Sequence, residues 1–193
     1  EYMKTGKTVK VLLTAATAAG MLAGCGSKTD TDTFRFASEL DIQGMDSTVV
    51  DDGMSFNAIH AITDGLTAVN EKGKTAPAIA KSWDVSDDGK TYTFHLRDAK
   101  WTNGDKVTAN DFVYSWRKII KDAGNYAYML GSGGASVKNA DALMELGANA
   151  TDEQMATLGV TAKDDQTLVV ELENKVPYFT DLMAFPCYFP QNE

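Results

Sequence analysis

The stretch KTYTFHLRDAKWTNGDKVTANDFVYSWRK, residues 90–118, changes its hydrophobic period half-way along and so predicts a β-strand followed by an α-helix. In its first part apolar and polar residues alternate, which is typical of a strand with one buried face. The residues of the apolar side are Tyr92, Phe94 and Leu96. Asp87-Asp88-Gly89, just before the strand, predicts a hairpin turn, and Asn103-Gly104-Asp105 predicts a second turn after it.

The second part of the stretch predicts a helix that begins after Thr108. Threonine is a favourable N-cap, and Asp111 three residues later can take the part of the glutamate in a capping box. Beyond it, apolar residues recur at helical spacing. They are Phe112, Val113, Trp116, Ile119 and Ile120. We therefore interpret the aromatic residues of this stretch, Trp101 among them, as core packing rather than as a functional site.

The rest of the chain mixes helix and strand patterns without an internal repeat, which indicates an α/β to α+β fold. Helices are predicted at residues 55–69, 139–147, 152–158 (with Thr151 as N-cap) and 177–185. Further strands are predicted at residues 34–38 and 167–172. Residues 70–74 predict a turn, and the glycines of residues 131–134 predict a mobile loop.

The composition suits a folded, acidic protein. The 193 residues are 44% hydrophobic and 23% charged, with a formal net charge of −9 at pH 7. This balance supports a buried core. The negative charge disfavours binding to nucleic acid or to an anionic lipid surface. The two cysteines, Cys25 and Cys187, lie in very different sequence settings, so a disulfide framework is not expected.

Residues 1–24 have the pattern of a secretory signal peptide, because lysines precede an apolar run at residues 9–23. That run is shorter than the roughly twenty residues that span a bilayer. Leu22-Ala23-Gly24-Cys25 resembles the lipobox of bacterial lipoproteins, which implies that Cys25 receives a lipid and becomes the first residue. Residues 25–33 are small and polar and predict a flexible tether. The alternative is an ordinary signal peptide with an incidental cysteine.

Catalytic and metal-binding patterns are missing from the sequence. The two histidines, His60 and His95, have no cysteine or histidine neighbour at metal-ligand spacing, so we interpret them as structural or solvated. Residues 84–89 resemble the start of a calcium loop, but His95 stands where that loop needs a glutamate, so we interpret them as a turn. Cys187 lies among aromatic residues and is expected to be an inert buried thiol. We therefore expect neither an enzyme nor a cofactor or metal site.

Two long motifs resemble one family of binding proteins. The runs AIAKSW (78–83) and DDGKTYTFHLRDAKWTNGDKVTANDFVYSWRK (87–118), with the proline-containing tail at 176–190, are similar to bacterial extracellular solute-binding proteins of family 5. These are the oligopeptide-binding lipoproteins of ABC importers. The resemblance implies the N-terminal part of a two-lobed, type II periplasmic-binding-protein-like fold. Residues 34–193 would hold the first strand of the ligand-binding lobe and the accessory subdomain inserted after it, and the chain is expected to be a fragment.

The resemblance also implies where a ligand binds. In this family the loop after the first strand lines the cleft. Its residues here are Ser38, Glu39, Leu40 and Asp41. The segment with Tyr126 and Tyr128 corresponds loosely to a region that reaches the cleft, and simple packing is the alternative for these two side chains. No catalytic residue is implied.

The function implied by the resemblance is the capture of extracellular peptides for import. Short peptides would be the ligands, and ABC permease and ATPase subunits would be the partners. The lipid on Cys25 would hold the protein at the cell membrane, on its extracellular or periplasmic face. Two alternatives stay open. One is a surface lipoprotein that acts as an adhesin or as a sensor of signalling peptides, and the other is a binder of a non-peptide ligand such as a metal chelate or haem.

Overall fold

The computed structural model describes residues 37, 38 and 40–193, and the elements below all belong to that part of the chain. The helices are α1 (Gly53–Ile62), α2 (Ala109–Lys121), α3 (Ala140–Leu146), α4 (Asp152–Met155) and α5 (Phe179–Leu182). The strands are β1 (Thr67–Val69), β2 (Thr75–Pro77), β3 (Ala80–Val85), β4 (Thr91–Leu96), β5 (Val160–Asp164) and β6 (Thr167–Glu171). Single 3₁₀ turns cover Ala127–Met129, Gly147–Asn149 and Pro186–Tyr188. The predicted signal peptide, the tether and residues 34–36 of the first predicted strand lie outside the described residues.

A four-stranded antiparallel sheet in the order β3-β4-β6-β5 forms the centre of the fold, and β1 and β2 form a separate two-stranded hairpin. The side chains of β4 alternate as the sequence predicts: Tyr92, Phe94 and Leu96 are buried, and the residues between them are half-buried. Phe94 faces Trp83 of β3 and Leu168 of β6 across the sheet. The predicted strand and its apolar face are therefore confirmed.

The two hairpin turns are in the predicted places. Between β3 and β4, Gly89 has a φ of +70°, a conformation that glycine adopts without strain. Asp88 Oδ1 accepts hydrogen bonds from Ser86 Oγ and from Lys90 N, and these bonds hold the pKa of Asp88 below its ordinary value. Between β1 and β2, the side-chain oxygen of Asn70 accepts from two backbone amides of the turn.

Helix α2 packs its apolar face on the sheet, and its start is fixed as predicted. Asp111 Oδ2 accepts from Thr108 N at 2.7 Å and from Trp101 Nε1 at 3.3 Å. Trp116 is fully buried, and its Nε1 donates to Tyr188 O at 3.0 Å. The aromatic residues of the opening stretch thus pack in or against the core. The indole N–H of Trp101 and that of Trp116 each donate a hydrogen bond.

The helix predicted at residues 55–69 is too long. Helix α1 ends at Ile62, and the last residues of the predicted helix form β1 instead. The chain passes too close to the C-terminal segment to continue as a helix: a Cβ on Gly65 would lie 2.3 Å from Met183 O. Thr67 Oγ1 donates to Thr180 O at 2.7 Å in the same region. The pairing of β1 with β2, together with contacts to residues far along the chain, therefore outweighs the helical spacing of the apolar residues.

The other predicted helices are present but shorter than predicted. The ranges 139–147, 152–158 and 177–185 contain α3, α4 and α5 respectively. Thr151 caps α4 as predicted, because its Oγ1 accepts from Gln154 N at 3.2 Å while Gln154 Oε1 accepts from Thr151 N at 2.8 Å. The sequence therefore located these helices better than it located their ends.

Two further segments differ from the sequence prediction. Strand β5 was not predicted, because polar residues fill most of its length and only Val160 is deeply buried. The glycine segment at residues 131–134, predicted as a mobile loop, is a packed turn. A Cβ on Gly134 would lie 2.2 Å from Met129 O, and Ser132 N donates to the carboxylate of Asp141. The glycines there permit close packing as well as tight turning.

The C-terminal segment closes the core. Phe179, Tyr188 and Phe189 are almost fully buried, and Ser115 Oγ of α2 donates to Phe189 O at 2.7 Å. Cys187 is buried with a free thiol, as predicted, and burial raises the pKa of that thiol, which disfavours the reactive thiolate. Within the described part of the chain, no helix combines the length and the apolar character needed to cross a bilayer.

Candidate functional site

Three of the four loop residues implied by the resemblance are described, and all three are exposed. They are Ser38, Leu40 and Asp41. Glu39 lies outside the described residues, as does Cys25. Leu40 is 65% exposed and Asp41 is exposed beside it, so this part of the loop offers both apolar surface and a carboxylate.

The loop is anchored to the start of α1. Gln43 N and Gly44 N donate to Ser55 Oγ at 3.0 Å and 3.2 Å. Ser55 is fully buried in the first turn of α1, and its own amide donates to Oδ1 of the N-cap residue Asp52 at 2.8 Å. Because one buried hydroxyl accepts from two successive loop amides, the direction of the backbone after Asp41 is set by the helix.

Asp46 fixes the next part of this segment. Its Oδ1 accepts from Thr48 Oγ1 at 2.7 Å and from Gln191 Nε2 at 2.7 Å, and its Oδ2 accepts from Lys118 Nζ at 2.9 Å. Burial alone would raise the pKa of Asp46, but the hydrogen bonds from Thr48, Lys118 and Gln191 outweigh it and hold that pKa well below its ordinary range. Lys118 is also paired with Asp122 at 3.0 Å. The ionised carboxylate thus joins three distant parts of the chain.

The two tyrosines implied by the resemblance are neighbours with different surroundings. The ring of Tyr126 contacts Phe56 with a centroid distance of 5.3 Å and Phe185 with one of 5.2 Å. The ring of Tyr128 stacks on Tyr126 at 6.0 Å with an interplanar angle of 28°, and Tyr128 is 52% exposed. Tyr126 therefore packs against two aromatic rings besides Tyr128, whereas about half of Tyr128 is open to solvent.

Helix α1 brings the tyrosines and the loop together. The loop amides bond to Ser55, and Tyr126 packs on Phe56, the next residue of the helix. Asn125 adds a second link, because its Nδ2 donates to Val49 O at 3.2 Å and to Asp51 Oδ2 at 3.0 Å. Residues 40–52 and 125–128 therefore form one connected surface, which we call the loop–tyrosine surface.

Sequence reasoning did not find the residues that connect this surface. Ser55, Phe56 and Asn125 carry no motif, and the bond from Asn125 to Val49 spans 76 positions of the chain. The only local signal is the position of Ser55 near the start of a predicted helix.

The histidines lie in separate settings. The ring of His60 meets the edge of Phe189 at a centroid distance of 5.2 Å, and burial there lowers the pKa of His60. His95 Nε2 lies 2.8 Å from Asp84 Oδ2 on the exposed side of the sheet. These contacts fit the interpretation of both residues as structural or solvated. Among the residues that the structure describes, no group of three histidine, cysteine, aspartate or glutamate side chains is placed to hold a metal ion.

A wide groove of about 1280 Å³ lies elsewhere, between one end of the four-stranded sheet and the turn that precedes α2. Its charged lining residues are Lys81, Lys100, Lys106, Asp98, Asp164 and Asp165. The groove contains none of the predicted site residues, and its lysines and aspartates balance in number. Its size alone does not make it the better candidate, since it lacks the concentration of apolar surface that ligand sites usually have.

Comparison with known proteins assigns the chain to a family. The family model for bacterial extracellular solute-binding proteins, family 5 (Middle), matches residues 74–193. The chain belongs to this family. The family that the quoted runs resemble is therefore confirmed.

Relatives of family 5 cover the rest of the chain. The dipeptide-binding protein of Lactococcus lactis subsp. cremoris is 38% identical over 195 residues, which is 99% of this chain and 34% of that protein. The substrate-binding domain of an oligopeptide ABC transporter from Bacillus anthracis has a TM-score of 0.74 and 40% identity over 81% of this chain and 29% of its own. OppA of Listeria monocytogenes, solved with bound peptide, has a TM-score of 0.68 and 39% identity over 77% of this chain and 28% of its own.

The chain spans about a third of the length of the relatives that it matches. Its described part has the fold of the corresponding part of these family 5 structures. The predicted fold class, part of a two-lobed type II fold with an accessory subdomain, is therefore confirmed.

Proposed function

We propose that this chain belongs to the peptide-binding component of an ABC importer, which captures short extracellular peptides and passes them to the transporter. The observation that carries the proposal is membership of family 5, with relatives that are named for binding dipeptides or oligopeptides. The loop–tyrosine surface supports it. The loop is hydrogen-bonded to α1, and the exposed Tyr128 stacks on Tyr126, which packs on the same helix.

In this proposal the loop of Ser38, Glu39, Leu40 and Asp41 contacts the peptide mainly through its backbone. Hydrogen bonds to the peptide main chain would hold an extended ligand without reading each side chain, which permits broad specificity. Tyr128 would contact a peptide side chain with its exposed face. Tyr126 would support Tyr128 from below, because its own ring is held by Phe56 and Phe185.

Transport would follow from closure of two lobes over the peptide, after which the closed form docks on the permease. ATP hydrolysis would take place on separate ATPase subunits, so the binding component needs no catalytic residue.

The anchor is a further part of the proposal. Residues 1–24 would be removed as a signal peptide, Cys25 would carry a diacylglyceryl group, and residues 25–33 would be the tether. Two acyl chains give stable membrane attachment where one gives only marginal binding. The intact mass of the protein extracted from membranes with detergent tests this part, because lipidation adds the mass of two acyl chains to a chain that begins at Cys25.

Deletion of the gene tests the transport role. Uptake of a labelled peptide should fall in the deletion strain and return when the full-length gene is restored. A restored gene that carries Cys25→Ala should return less uptake, because the binding protein would be released from the membrane. Unchanged peptide uptake in the deletion strain would contradict import and favour adhesion or peptide sensing instead.

A further inference from the structure

The loop–tyrosine surface is built from sequence that contains no basic residue. Between Arg35 and Lys72 there is no lysine or arginine. The acidic residues of that interval are Glu39, Asp41, Asp46, Asp51, Asp52, Asp64 and Glu71. The second segment, which carries Tyr126 and Tyr128, is likewise free of lysine and arginine between Lys121 and Lys138.

Within the part of the chain that the structure describes, most of the acidic residues of this surface have no cationic partner. Asp46 is paired with Lys118 at 2.9 Å, and that lysine is also engaged by Asp122. Asp41 and Asp51 are exposed, and within the described residues neither forms an ion pair. The bond that Asp51 does make, from Asn125 Nδ2 at 3.0 Å, comes from a neutral amide and leaves the charge in place.

Asp52 adds a third carboxylate to the same surface. Its Oδ1 caps α1, and its Oδ2 is buried without a hydrogen-bond partner among the described residues. The hydrogen bonds at Ser55 lower the pKa of Asp52, so this group is ionised at neutral pH. Among the described residues no cation is paired with these three carboxylates, which therefore give the surface a negative potential.

The stacked tyrosines are an independent feature that suits the same kind of ligand. Tyr128 is 52% exposed and is held at 6.0 Å from the ring of Tyr126. The face of a tyrosine ring attracts lysine and arginine side chains through its quadrupole. A cationic peptide side chain over Tyr128 would therefore gain from the ring and from the charge of Asp51, which is bonded to Asn125 in the same segment, while an acidic side chain would gain from neither.

We propose that this surface selects for cationic peptides, meaning peptides with a lysine or arginine side chain near the loop–tyrosine surface. The inference rests on the proposed function, since it chooses among peptides and presupposes that peptides bind. The charges on the surface are exposed, so the effect is a preference of roughly threefold to tenfold in affinity rather than an absolute requirement.

A matched peptide series tests the preference on the full-length gene product. The peptides are Ala-Ala-X-Ala-Ala, with lysine, glutamine or glutamate at X, and isothermal titration gives their Kd at low and at physiological salt. We expect the lysine peptide to bind roughly threefold to tenfold more tightly than the glutamine peptide, with the glutamate peptide weakest. The differences should shrink as salt rises, because exposed charges are screened.

Three variants locate the origin of the preference. Asp41→Asn and Asp51→Asn each remove one negative charge from the loop–tyrosine surface, and each should reduce the ratio between lysine and glutamate peptides. Asp87→Asn removes the same charge from the exposed turn between β3 and β4 and should leave the ratio unchanged. Asp41→Asn disturbs no side-chain hydrogen bond among the described residues, so it remains a valid test if Asp51→Asn weakens the fold.

The outcomes separate this inference from the proposed function. Equal affinity for the lysine, glutamine and glutamate peptides would overturn the charge preference and leave peptide binding intact. A preference that survives unchanged in both Asp41→Asn and Asp51→Asn would overturn its assignment to this surface. Failure of all three peptides, and of a diverse peptide pool, would instead contradict the proposed function itself.

Discussion

Tyr126 and Tyr128 show how two similar residues separated by one position differ in what they do. The ring of Tyr126 contacts both Phe56 and Phe185, whereas the ring of Tyr128 has one stacked partner and Tyr128 is 52% exposed. A buried aromatic contact contributes to folding, and an exposed aromatic face is available to a ligand. The two tyrosines should therefore separate stability from binding.

We predict that Tyr128→Ala lowers the affinity for short peptides by roughly threefold to tenfold and changes stability little. Tyr126→Ala should instead lower the free energy of unfolding by about 2–4 kcal/mol, because it leaves a cavity beside Phe56 and Phe185. Peptide titration and urea unfolding of the full-length gene product would measure both effects. The opposite pattern, with Tyr128 controlling stability, would contradict the assigned roles.

Asp46 allows a prediction about pH. Because its pKa is lower in the folded state than in the unfolded state, its ionised form stabilises the fold above the unfolded value of about 4, and this contribution is lost as the pH falls further. Asp46→Asn should therefore cost about 1–2 kcal/mol at pH 7, a value kept modest because the side chain is partly exposed.

The difference in the free energy of unfolding between wild type and Asp46→Asn should disappear as the pH falls below about 4. Chemical unfolding followed by tryptophan fluorescence at several pH values measures it. Asp87→Asn is the matched control, since Asp87 is exposed and forms no ion pair among the described residues. A gap that is absent at pH 7, or one that widens in acid, would show that Asp46 does not have this role.

Single elements show why some of the fold could be predicted from the sequence. Strand β4 and helix α2 were predicted because their signals are local: alternation at Tyr92, Phe94 and Leu96, and a capping aspartate at Asp111. The helix over residues 55–69 was wrong in its second half because the competing signals are not local. The close approach of Gly65 to Met183 joins residues about 120 positions apart.

The start of α2 gives a prediction at this scale. Asp111→Ala should lower the free energy of unfolding by about 1–2 kcal/mol, because Thr108 N and Trp101 Nε1 both lose their acceptor. Asn110→Ala, an exposed change in the same turn, should stay within about 0.5 kcal/mol of wild type. Thermal unfolding of the two variants, measured side by side, tests this prediction. Equal losses of stability would argue against the cap.

Gly124 links α2 to the loop–tyrosine surface and gives a second prediction. A Cβ on Gly124 would lie 2.0 Å from Thr48 O, so Gly124→Ala must move the segment that carries Asp46 and Asp51. We expect a loss of stability of about 1–3 kcal/mol together with weaker peptide binding. Gly53→Ala meets nothing within 4 Å and is the control, with stability equal to or slightly above wild type. Tight peptide binding by Gly124→Ala would show that the backbone position of this segment does not matter.

At the scale of the whole molecule, the described residues support one side of the proposed binding site through contacts with the core. The C-terminal segment, α2 and the segment that precedes α1 are connected through Ser115, Asp46 and Gln191, so this segment is held by contacts with the core. The sequence predicted which residues would form the site only through the family resemblance. It could not predict the links between the loop segment and the tyrosine segment, because these depend on contacts such as Asn125 to Val49, 76 positions apart.

The most direct test of this account is the binding of short peptides to the full-length gene product, measured by native mass spectrometry with a diverse peptide pool and confirmed by titration. The account predicts complexes with one peptide per protein at submillimolar Kd, and weaker complexes for Tyr128→Ala. A correctly folded protein that retains no peptide from the pool would contradict the account.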